Sequence, residues 1–117
     1  MTSRRPSRSA QHVVALDYET AREQASALGR LGRALEAALV ALVEHDRPNS
    51  EDRGDPEWTE NRTRLVLDAG NALWCFLVQR EACGLRDPRP VLRDYRVPLE
   101  VQNRMGIVTG RRRLKPD

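Results

Sequence analysis

The chain has 117 residues, of which 39% are hydrophobic and 32% charged, and twenty Lys and Arg against seventeen Asp and Glu leave a net charge of +3. That length fits one domain. The lack of a long apolar run argues against a membrane span or a signal peptide, two cysteines are too few for a disulfide scaffold, and the Leu, Ala and Val content is too high for a wholly disordered chain.

Residues 1–12 open with MTSRRPSRSA, a Ser, Arg and Pro stretch without apolar periodicity, and are expected to form a disordered basic arm. A single helical domain is expected over 13–108. Its first helix is predicted from about Asp17 to Asp46, with Thr20 and Glu23 at capping-box spacing and Asp17 as an alternative cap. Ala21, Ala25, Leu28, Leu31, Leu35, Leu39, Leu42 and Val43 fall in one stripe at 100° per residue. Gly32 lies in that stripe, where it would let another backbone approach closely. Residues 47–55 (RPNSEDRGD) read as a polar loop in which Pro48 stops the helix.

The second helix has the clearest ends. Asp55 is placed to cap, Pro56 to occupy the first turn, and Gly84 followed by Leu85 to close a Schellman ending. The two long helices are expected to be similar in length and to form an antiparallel hairpin. Two apolar stripes run along the second helix. The wide one contains Trp58, Leu65, Val66, Ala69, Ala72, Leu73, Phe76, Leu77 and Cys83; the narrow one contains Leu67, Trp74, Val78 and Leu85, on the opposite side. A helix apolar on two faces needs covering on two faces, so the narrow stripe is a candidate interaction surface. Two short helices follow, the first capped at Asp87 and bearing Val91, Leu92 and Tyr95, the second running from Leu99 to Met105. Residues 109–117 form a basic tail.

The net charge averages three unlike segments: +3 over residues 1–16, −5 over 17–84 and +5 over 85–117. Basic ends raise the expectation of a polyanion partner, with Arg111, Arg112, Arg113 and Lys115 as the contacts. A solvated tail is the plainer reading of the same residues.

The usual signatures of chemistry are absent from the sequence. His12, His45, Cys75 and Cys83 form no metal-ligand pattern. Cys75 sits in an apolar run and Cys83 at the carbonyl end of a helix, neither of which activates a thiol. Eight residues apart on one helix, they are too distant for a disulfide. Both are expected to be reduced, in a cytoplasmic protein. The glycines give no phosphate-loop spacing. Arg80 falls on the wide apolar stripe near the start of the first helix, so it is expected to pair with Asp17, Glu19 or Glu23, or with nearby carbonyls. An anion-binding notch formed with Gln79 and Arg86 is the alternative. Residues 95–105 superficially resemble a helix-turn-helix, in which Gln102, Asn103 and Arg104 would meet DNA. Arg96 stands where that motif has glycine, and Gln102 where it has an apolar residue.

The segments 28–39, 76–87 and 95–106 together resemble a family of short bacterial proteins known as a domain of unknown function, over about residues 13–107. The resemblance implies a helical fold and no known activity. The sequence thus leads to an all-α protein: a long antiparallel hairpin with two short C-terminal helices, completed as a bundle by homodimerisation. Its expected role is a non-enzymatic protein–protein interaction, regulatory or structural module, without cofactor or metal and away from membranes. The alternative is a nucleic-acid accessory factor that uses its basic ends.

Overall fold

Asp55 opens the best-defined helix of the molecule, its carboxylate accepting the Glu57 amide at 3.1 Å with Pro56 in the first turn. At the other end Gly84 takes φ +90°. The Leu85 amide donates to the Arg80 carbonyl at 2.8 Å and the Gly84 amide to that of Glu81 at 2.9 Å. This is the Schellman pair expected of a glycine just past a helix end. The computed structural model describes residues 8–47 and 53–106, which form four helices: α1 Arg8–His45, α2 Pro56–Ala82, α3 Arg89–Asp94 and α4 Leu99–Asn103. The protein is all-α, and no strand occurs among the described residues.

Helices α1 and α2 pack as the expected antiparallel pair. Phe76 lies beside Gly32, and Arg62 reaches Asp46, so fourteen residues along α2 match fourteen along α1 in the opposite sense. Leu35 and Leu42 of α1 meet Val66, Ala69, Leu73 and Phe76 of α2 in the core. Val91, Val97 and Val101 from the C-terminal segment complete it. Leu73 is fully buried, a side chain whose removal from water contributes about 1.5–3 kcal/mol. His45 and Trp58 rings, 4.6 Å apart, close the hairpin at its loop end.

The first helix is longer than its expected span. It begins at Arg8, upstream of Asp17, and runs for 38 residues against 27 in α2. No glycine or proline occurs between Ser7 and Leu28, and extending an existing helix costs far less than nucleating one. Asp17 and Thr20 are therefore interior residues and not caps. The expected arm at 1–12 is helical from Arg8 onward; its first seven residues lie outside the described ones.

Two glycines admit close neighbours. A Cβ on Gly32 would lie 2.8 Å from the Tyr95 hydroxyl, so the close neighbour there is a side chain and not the backbone expected. At Gly70 the neighbour is backbone: a Cβ would stand 3.0 Å from the Arg104 carbonyl carbon and oxygen. Gly70 is thus the saddle on which the end of α4 rests. The turn from α3 to α4 repeats the Schellman pattern without glycine. Arg96 takes φ +53°, and Val97 donates to the Leu92 carbonyl at 3.0 Å.

Candidate interaction surface

Arg62 is the most connected side chain of the described structure. Its Nε and Nη2 donate to the two Asp46 carboxylate oxygens at 2.8 and 2.9 Å. Its Nη1 and Nη2 donate to both Glu100 oxygens at 2.9 and 2.7 Å. One guanidinium thus ties the end of α1, the body of α2 and the start of α4. The planar fork suits two bidentate carboxylates in a way an ammonium cannot. Hydrogen bonding to Arg62 holds both carboxyls below their usual range and raises the guanidinium in turn.

Beside this cluster lies an open groove of about 1060 Å³ between the C-terminal half of α1 and the α3–α4 corner. Leu39, Val40, Val43, Tyr95 and Pro98 line it, and Glu36, Glu44, Arg47, Asp94 and Arg96 stand on its rim. Val40 and Val43 are 52% and 66% exposed. The sequence placed Val43 on the buried stripe, yet in the fold it faces this groove. The groove was missed in the sequence because two of its walls come from segments some fifty residues apart.

The narrow stripe of α2 is at the surface, as its position on the wheel requires. Trp74, Val78 and Leu85 are exposed and Leu67 is half-buried. A Cβ on Gly106 would come within 3.9 Å of the Trp74 ring, so the turn after α4 lies beside this stripe. Arg80 makes no ion pair with Asp17, Glu19 or Glu23. These acids are on the exposed part of α1, which extends beyond the end of α2. The second part of the expectation describes Arg80 better. Its Nη2 donates to the Asp87 carbonyl at 3.3 Å, its guanidinium lies 5.9 Å from the Phe76 ring centre, and its buried Nε has no partner. Gln79 turns instead to the Cys83 sulfur, at 3.7 Å. Arg86, the third residue of the alternative notch, is exposed.

The basic segment Arg111, Arg112, Arg113 and Lys115 lies outside the described residues. Within them, fourteen arginines balance fourteen carboxylates, so the net positive charge belongs to other parts of the chain. The helix-turn-helix likeness is limited to a turn. Arg96 adopts the left-handed conformation a glycine would take there, and half-buried Gln102 donates to the Val97 carbonyl at 3.1 Å. The helices flanking that turn have only six and five residues. Both cysteines are free and half-buried. Among the described residues no group of three His, Cys, Asp or Glu is placed to hold a metal ion. None of their helices is long and apolar enough to cross a membrane.

Residues 4–113 match the model of a family of unknown function, DUF6665. The chain belongs to that family. The match spans the hairpin and the C-terminal helices alike, so the Arg62 cluster and the groove both lie within the DUF6665 region. No curated protein and no solved structure matches the chain.

Proposed function

We propose that this DUF6665 protein is a non-enzymatic helical interaction module that acts as a homodimer and offers the α1–α3/α4 groove to a helical segment of another protein. The groove carries the reading. It sets Val40 and Val43, two exposed β-branched residues one turn apart, against a corner that Arg62 ties to the hairpin. An apolar groove beside a helix takes an amphipathic helix through anchors at i and i+3 or i+4. Two exposed valines at that spacing are also what a partner would cover.

A photoreactive residue in place of Val43 in the native cell tests this. It is expected to capture one recurring protein, whereas the same residue in place of Asp68, exposed on α2, captures none. Equal labelling from both positions, or labelling only of the chain itself, would refute the groove as a partner site.

A further inference from the structure

The level of α1 at which α2 stops follows from their register. Ala82, six residues beyond Phe76, comes level with Ser26, six residues before Gly32. Residues 8–25 of α1 therefore extend about 27 Å past the end of α2. Every residue from Gln11 to Glu23 is exposed. Val14 and Tyr18 are each 66% exposed.

The apolar seam does not stop where α2 does. Leu28, Gly32, Leu35, Leu39 and Leu42, the positions buried in or packed against the core, are spaced four, three, four and three residues apart. The same spacing continues backward through Ala25, Ala21, Tyr18 and Val14. Nine seam positions thus form one heptad pattern. Own-chain packing covers five of them and leaves four open.

We propose that the open half of this seam is covered by the same segment of a second copy, lying antiparallel across a two-fold axis. The inference rests on the self-association proposed above and assigns it to α1 in place of the α2 stripe. The occupant is a second copy because the open seam continues the α1–α2 interface and asks for another helix of the same pattern. The direction follows from steric exclusion. A parallel partner would run its own residues 26–45 into the face that α2 already occupies. An antiparallel partner leaves the molecule the other way, with its N-terminus directed at the end of α2 and its axis continuing the line of that helix. The axis then crosses α1 between Val14 and Ala21. Tyr18 of each copy packs between Val14 and Ala21 of the partner subunit, a large side chain set against smaller ones. The C-terminal dipole of α2 also faces the N-terminus of the incoming helix, a favourable end-to-end arrangement.

The test is the mass of the full chain in solution by light scattering, with Val14→Glu/Tyr18→Glu as the variant. Both positions are exposed in the single chain and Glu is a good helix former, so circular dichroism should be unchanged. Leu16→Glu, also exposed but off the seam, is the control. The expected result is twice the 13.3 kDa chain mass for the wild type and Leu16→Glu, and a dissociation constant raised by at least about tenfold in the double variant. A spin label at Glu36→Cys, with Cys75→Ala and Cys83→Ala, reads the direction. An antiparallel pair puts the two labels about 50–60 Å apart, a parallel pair within about 20 Å.

A monomeric wild type overturns both this inference and the self-association beneath it. A dimer that survives Val14→Glu/Tyr18→Glu but is lost in Trp74→Glu leaves self-association standing and overturns the assignment to α1. A short label distance overturns the antiparallel pairing.

Discussion

Replacing Arg62 with methionine keeps the apolar stem and removes four hydrogen bonds to two carboxylates. Asp46 and Glu100, now without their shared cation, are left near each other. Breaking a fully buried pair costs about 3–5 kcal/mol and an exposed one about 0–1. The Arg62 side chain is 26% exposed, and those of Asp46 and Glu100 are 34% and 48%. The cluster lies between those limits, and a loss of about 1–3 kcal/mol is expected, discounted for solvent screening. In urea, which adds no ions, the unfolding midpoint at pH 7 should fall by about 1 M or more at equal protein concentration. The pH dependence identifies the cause. Both carboxyls are held below their usual values by Arg62. A lowered folded pKa gives stability that is present above the unfolded value and lost as pH falls through the folded one. The difference between wild type and Arg62→Met should therefore persist from pH 7 to about pH 5 and shrink below about pH 4. An equal midpoint difference at pH 7 and pH 2.5 would refute the reasoning, since it would mean that Arg62 contributes by packing alone.

Four other substitutions probe the fold. Gly29→Ala meets only the flexible end of Arg33, so it should gain up to about 1 kcal/mol of helix propensity, whereas Gly70→Val presses on the Arg104 backbone and should lose about 1–3 kcal/mol; thermal melts that move the same way for both would contradict the saddle. Arg96→Gly relieves a left-handed residue and should raise stability by about 0.5–1 kcal/mol, read as a higher urea midpoint. Arg80→Met removes one long hydrogen bond and a buried Nε without a partner, so it should change stability by less than about 1 kcal/mol, and a larger loss would mean Arg80 holds a stronger partner than the Asp87 carbonyl.

The ends of α2 were legible because capping is local: Asp55, Pro56 and Gly84 each act within a few residues of themselves. The hairpin and its core face were legible because Leu35, Leu73 and Phe76 obey one period. The Arg62 cluster was not, since its carboxylates lie 16 and 38 residues away and an arginine inside a helix looks the same whether paired or solvated. Gly70 likewise reads as an ordinary weak point in a helix until the α4 backbone is seen against it. The length of α1 misled in the opposite direction. Leu35 and Leu42 of its stripe are buried, but a stripe does not announce which of its residues a neighbour covers, so Ala21, Ala25 and Val43 looked as buried as Leu35.

The saddle at Gly70 also bears on the order in which the chain assembles. Helix α4 has five residues and no stability of its own. The surface on which it rests exists only once α2 is formed, and its charged anchor only once Arg62 is positioned beside Asp46. The hairpin should therefore form first and the C-terminal segment close last, reopening without unfolding the rest. Native-state amide exchange would show this as lower protection at Val101 and Gln102 than at Leu73. In that sense the C-terminal segment is the latch of the molecule. Because the groove borrows one wall from it, the hairpin can outlast the groove.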